Sequence, residues 1–343
     1  MTAKSANIIS VIHRLVTDEY GENYWFNGCA KYVMECLGEK DYDYWFFAGL
    51  TGDLFTQHYT YTKYSGDALS CYRLDEAPKQ FVRDTFAKCG YEAAFVSGQE
   101  LEQSTQKYLD MLMAYIDKGV PVIAWGKIVG VYVGYEEYGK KLLYITGNND
   151  QPQCISLDEA LLKTAAWNEN AKEQGGWIFI GGREENISLA EVYRYAVAEI
   201  PKHFQVKTEA YCFGPEAFRA WASDIENGKF DRMTAEEFDI WGHYTNYICV
   251  LATNGSCCYG FFDRAKELNP DFTWLDEVKN QYRRMGRMWN DDNGNDLEAI
   301  GGGFNVTLEI LQDKNRRAKI ADVIRRCGEC MDEVLFLIRG EKI

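Results

Sequence analysis

Histidine is scarce in this chain: there are four in 343 residues. Proton transfer near neutral pH therefore has few candidate side chains to draw on. Basic charge is also short, with 37 lysines and arginines against 52 acidic residues and a net charge of −15. A surface of that sign repels phosphate backbones and anionic lipid, which argues against nucleic-acid and membrane partners. No apolar run reaches membrane-spanning length, and the polar start Met-Thr-Ala-Lys-Ser-Ala-Asn has no export-signal pattern. The expectation is a cytoplasmic protein. The phosphate-binding glycine patterns and the paired-histidine zinc signature are missing too.

Eleven cysteines are present, an odd number, and without an export signal they read as reduced thiols used as small apolar residues. Cys327-Gly-Glu-Cys330 lacks a second such pair, so no metal site and no cofactor is expected. Cys257-Cys258 reads as packing. The loop Asn290-Asp-Asp-Asn-Gly-Asn-Asp296 has oxygens suited to calcium. However, an EF-hand loop with Gly294 at its sixth position would have to begin at Trp289, so a solvated turn is expected.

Apolar residues make up 46% of the chain and aromatics 15%, enough for a large core, and the length suits two domains. The key stretch runs from Asn23-Tyr-Trp-Phe-Asn-Gly-Cys29 to Gly38. Ala30, Val33, Met34 and Leu37 repeat at helical spacing, and Gly38 supplies a stop. Cys29 is thus expected at the mouth of a helix, behind a turn at Gly28, where the helix dipole favours thiolate. Asn23 is placed to offer an amide to an oxyanion.

Helices are expected near 76–88 and 100–117, and strands near 55–64, 120–125, 129–135, 142–146 and 177–180. Residues 129–135 and 142–146 form a hairpin. Ser156-Leu-Asp-Glu159 caps a helix running to about Trp167. From Ser188 the pattern becomes helical: 188–200 closed by Pro201, a helix from Gly214-Pro215 to Gly228, then 235–252, 257–267 and 315–337. No strand is expected after about residue 182. The division is an α+β domain over 1–185 and an all-helical domain over 186–343.

A helix-opening cysteine followed by helices, a strand, a hairpin and another strand is the order of papain-like cysteine enzymes. Asn27-Gly-Cys29, Gly49-Leu-Thr-Gly-Asp-Leu-Phe55, Gly119-Val-Pro-Val-Ile123 and Val131-Tyr-Val-Gly-Tyr135 resemble the butirosin-biosynthesis acyltransferase amino-terminal family. That family is itself similar to bacteriocin-processing cysteine peptidases. Cys212-Phe-Gly-Pro-Glu-Ala-Phe-Arg-Ala-Trp221 and Cys257-Cys-Tyr-Gly-Phe-Phe-Asp-Arg264 resemble the helical domain that often comes after it. The resemblance implies a papain-like fold with Cys29 as nucleophile. The Asn23 amide and the Cys29 backbone N–H would then form the oxyanion hole.

The chain departs from that pattern where a histidine is required. The matching stretch reads Lys127-Ile-Val-Gly-Val-Tyr-Val-Gly134. The orienting position survives as the cluster Asn148, Asn149 and Asp150. His58 is the best replacement base by position, and His243 serves only if the helical domain caps the cleft. His13 reads as packed and His203 as a helix-end cation, while Lys127 would need desolvation to act as a base. Two functions remain open. One is acyl transfer or amide hydrolysis on a small molecule through Cys29. The other is an inactive relative that binds a small molecule as sensor or scaffold. Tyr24, Trp25, Phe26, Tyr42, Tyr44 and Trp45 flank Cys29, so a cationic ligand held by cation–π contact is one option and core packing the other. A homodimer is compatible with either function.

Overall fold

The computed structural model describes residues 4–15, 22–61, 68–166, 172–241, 244–291 and 294–340. Their strands are β1 (Asn7–Ile8), β2 (His58–Thr60), β3 (Tyr91–Ser97), β4 (Val122–Trp125), β5 (Gly130–Glu136), β6 (Lys141–Ile145), β7 (Gln153–Ser156), β8 (Gly176–Arg183) and β9 (Tyr211–Phe213). The chain divides into two units. Met1–Leu50 and Ser70–Ser188 form one, and Thr51–Leu69 and Leu189–Ile343 form the other.

The first unit is α+β. Its sheet runs β3-β8-β4-β5-β6-β7 with β1 added to β5, and every pairing is antiparallel. β4 is buried along its whole length, and β5 along all but its last residue. Both α1 (Trp25–Cys36) and α6 (Thr105–Asp117) lie against these two strands. Burial this complete explains why Val120-Pro-Val-Ile-Ala-Trp125 reads as an unbroken apolar run rather than an alternation.

The remaining helices of this unit are α2 (Tyr44–Thr51), α3 (Leu69–Glu76), α4 (Pro78–Ala87), α5 (Gly98–Gln103) and α7 (Leu157–Leu162). Pro78 opens α4, where its missing N–H costs nothing, so the helix expected from 76 begins two residues later. Ser156 caps α7 as expected, its hydroxyl accepting from the Glu159 N–H at 3.2 Å. α7 stops at Leu162, however, and Trp167 lies outside the described residues.

α1 ends as its sequence requires. The Gly38 N–H reaches the Glu35 carbonyl and the Glu39 N–H reaches the Met34 carbonyl, both at 3.0 Å, closing a Schellman turn through Gly38 at φ 85°. Nothing lies within 4 Å of the place a Cβ would take. Gly38→Ala is therefore expected to cost only the left-handed conformational penalty, about 1 kcal/mol, read as a shift in denaturant midpoint at unchanged slope.

The second unit is mostly helical: α8 (Leu189–His203), α9 (Pro215–Glu226), α10 (Ala235–Trp241), α11 (Tyr244–Cys257), α12 (Tyr259–Leu268), α13 (Leu275–Trp289), α14 (Leu297–Ile300), α15 (Leu308–Gln312) and α16 (Lys314–Gly340). The long α16 packs on α9, α13 and α8. Pro201 does not end α8, which continues to His203; in a last turn the lost N–H affects only one remaining bond.

Two expectations need correction. A strand does come after residue 182: β9 pairs antiparallel with β2, His58 opposite Phe213 and Thr60 opposite Tyr211. For the same reason the division is not a single cut at 185. Thr51–Leu69 leaves the first unit to join the second, and the later boundary falls at Ser188. Phe55 anchors that excursion, stacked on Phe262 at 4.9 Å between ring centres, while the Tyr282 hydroxyl donates to the Phe55 carbonyl at 3.1 Å. Among the described residues no helix is long and apolar enough to cross a membrane.

Candidate functional site

Cys29 is the fifth residue of α1, a full turn in from Trp25. The free N–H groups of a helix are the first four, and here they end before Gly28, whose N–H already bonds the Tyr24 carbonyl at 3.3 Å. The Cys29 N–H is thus committed to the helix and does not face an oxyanion. Gly28 sits within α1 rather than in a turn before it. The helix starts early because Phe26 is drawn into an aromatic core, its ring 5.1 Å from that of Phe81 and 6.2 Å from that of Trp125. The start is fixed by tertiary packing, and Tyr24 contributes no side-chain cap.

The sulfur itself is sealed, with 0% of the residue exposed. Burial pushes the Cys29 thiol far above its ordinary value, with no charged group among the described residues acting on it. Among the described residues no hydrogen bond reaches its Sγ. A nucleophilic cysteine needs the opposite surroundings, electropositive and partly open.

The other expected site residues lie in different surroundings. Asn23 is half-buried just ahead of α1. His58 opens β2 and so belongs to the second unit, whereas Cys29 belongs to the first. It is fully buried, with its ring 5.0 Å from that of Tyr247 and 6.2 Å from that of Phe213. Asn148 and Asp150 lie exposed in the turn between β6 and β7. Asp150 faces Arg14 at 3.7 Å, and Asn149 shapes the turn by accepting the Thr146 N–H at 3.0 Å. These contacts account for the cluster as turn chemistry. Lys127 is exposed, its N–H donating to the Lys163 carbonyl at 2.8 Å. His203 is buried at the end of α8 against Gly52, and His243 lies outside the described residues.

His13, which reads as a packing residue from its sequence position, brings its imidazole to a carboxylate. His13 Nε2 lies 3.2 Å from both oxygens of Glu35, Nδ1 lies 2.7 Å from the Arg14 carbonyl, and the ring meets Tyr32 edge-on at 4.9 Å. Burial raises the Glu35 carboxyl, but Lys31 at 2.9 Å and His13 outweigh it and hold the group below its usual range. Among the described residues the pair has no activated thiol beside it. Cys36, on the same helix, is pushed up to about 12, first by burial and then by the charge on Glu35. His13 and Glu35 stand far apart in sequence, and no local pattern announces the contact.

Four of the six aromatic residues around Cys29 are core, while Trp25 and Trp45 are half-buried. Tyr24, Phe26, Tyr42 and Tyr44 are buried, and the Tyr44 hydroxyl accepts the Tyr24 N–H at 2.8 Å. Cys327 and Cys330 are buried thiols of α16, with Cys327 Sγ 4.0 Å from Met288 Sδ. Among the described residues no group of three or more His, Cys, Asp or Glu side chains is arranged to hold a metal. Compared with protein-family models and with curated protein sequences, the chain matches none.

Proposed function

We propose that this chain is a non-catalytic relative of papain-like cysteine enzymes, in which the nucleophile position has become a packing position and a small molecule is bound rather than turned over. One observation carries the reading: the Cys29 thiol has no exposure and is raised by burial, with no cation or base among the described residues acting on it. The fold half of the proposal is supported by the cysteine-bearing α1 lying against β4 and β5 of an antiparallel sheet. The replaced histidine, in the stretch Lys127-Ile-Val-Gly-Val-Tyr-Val-Gly134, supports it from the sequence. Acyl transfer or amide hydrolysis through Cys29 would need a conformer in which the sulfur opens to solvent beside a base.

Alkylation separates the two. In the native protein, iodoacetamide should modify the exposed Cys154 readily. Cys29 should react on the order of a thousandfold more slowly, at the rate at which the core opens. Raising the pH from 7 to 8.5 should not release it, because a thiol raised in the folded state stays protonated across that window while free thiols ionise near about 8.5. Rapid labelling of Cys29 below pH 8, mapped by peptide mass, would sink the proposal and restore the enzyme reading.

A further inference from the structure

In the second unit, α13 and α16 pack together, and a cavity of about 270 Å³ opens beside them. Arg284, Arg287 and Met288 line it from one face of α13, Val323 and Arg326 from α16, and Asn295 from the loop before α14. Three arginines from two helices line it, in a protein whose net charge is −15. None of the three makes an ion pair among the described residues. The one side-chain hydrogen-bond partner any of them has there is Gln281, whose Oε1 accepts from Arg284 at 2.8 Å.

Two carboxylates share the cavity. Asp296 is buried and occupied, its Oδ1 accepting the Ala299 N–H at 2.9 Å to cap α14. Asp291 stands at the C-terminal end of α13, exposed. Counted over the described residues, the lining keeps a surplus of one positive charge.

A neighbouring cavity shows how this fold treats arginines that serve only to join helices. About 350 Å³ in volume, it lies between α9 and α16 and is lined by Arg219, Arg325 and acidic residues. There Arg219 pairs with Glu216 at 3.0 Å and Asp332 at 2.8 Å, and Arg325 pairs with Glu226 at 2.5 Å. Those arginines are spent on salt bridges. Among the described residues Arg284, Arg287 and Arg326 are not, although acidic residues outnumber basic ones across the chain.

We infer that the cavity between α13 and α16 is a binding site for a small polyanion, a phosphate ester or a di- or tricarboxylate. Planar guanidinium forks pair with the oxygens of either group through parallel charge-assisted hydrogen bonds. Asn295 adds a neutral donor, and Met288 and Val323 give the remainder of the ligand a small apolar floor. A polyanion supplies the ligand class for the small-molecule reading above, yet its site does not depend on the state of Cys29, which lies in the other unit. Either can fail alone, since one is read by alkylation and the other by binding.

The test is titration calorimetry on the full chain with pyrophosphate in one arm and citrate in the other, at constant ionic strength set with sodium chloride. Saturable binding in either arm supports the site, and the tighter arm identifies the oxyanion. Arg284→Gln and Arg326→Gln should each weaken that binding about tenfold or more, and Arg326→Lys should restore only part of it. Because these side chains are exposed, the variants should keep the wild-type circular dichroism. Arg219→Gln, in the paired cavity, should bind as wild type does. Heats indistinguishable from those of sodium chloride in both arms, or equal loss from Arg219→Gln and Arg326→Gln, would overturn the inference.

Discussion

Gly286→Ala should destabilise the second unit by about 3 kcal/mol, the upper part of the range for overpacking a well-filled interior. α11 and α13 cross at two glycines. A Cβ on Gly286 would lie 2.4 Å from the carbonyl oxygen of Gly255, and one on Gly255 would lie 2.6 Å from the Gly286 Cα. Both obstacles are backbone, so no side-chain rotation relieves them and the helices must separate. Separation would loosen Val278, Tyr282 and Met285, all buried on α13. Gly260→Ala provides the control. Gly260 also lies in a helix, α12, but nothing is within 4 Å of its would-be Cβ. There alanine should stabilise by roughly 0.5–1 kcal/mol through helix propensity alone. Urea unfolding of both variants checks the pair. Similar shifts of the same sign would show that the crossing is looser than these distances say.

Phe55→Ala should cost about 3–5 kcal/mol, the range for removing a buried phenylalanine ring. Phe55 is fully buried, with its ring 4.9 Å from that of Phe262, 5.3 Å from that of Phe261 and 6.3 Å from that of Tyr282. It is joined to the first unit by sequence but packs in the second. Hydrogen exchange should therefore report the loss in α12 and α13 and spare the amides of β4, β5 and β8. A two-unit protein need not unfold in one step, so this regional readout is more informative than a single midpoint. Loss of protection concentrated in the sheet would contradict the assignment of residues 51–69 to the helical unit.

The helices most legible in the sequence carry an apolar stripe and an evident terminus. α8 shows Val192, Tyr193, Ala196, Val197 and Ile200 buried on one face, and α16 shows Ile320, Ile324, Cys327, Met331 and Val334. α13 carries an equally regular stripe at Leu275, Val278, Tyr282 and Met285. It stands outside the expected helices because charged residues fill the rest of it and lower its apolar character. β3 is missed for a different reason. Tyr91-Glu-Ala-Ala-Phe-Val-Ser97 has no clean alternation, and pairing with β8 rather than local preference makes it a strand. The site was less readable than the fold. That a cysteine comes after Asn-Gly near a helix start is plain in the sequence, but whether its sulfur faces a cleft or a core depends on where Phe26 packs. Nor does any local pattern place Arg326 of α16 beside Arg284 and Arg287 of α13, since that meeting depends on how two helices far apart in the chain come together.

The departure of residues 51–69 has a consequence for the order in which the protein takes shape. A nascent chain emerging from the ribosome delivers Phe55 and β2 long before α12 and β9 exist, so this segment must wait with its aromatic residues uncovered. The first unit, meanwhile, must close around a gap in its own sequence. A fragment beginning at residue 189 would leave the β9 edge without its neighbour and Phe261 and Phe262 without the ring that covers them. The helical half is thus tied to its distant amino-terminal segment during synthesis as well as in the finished fold.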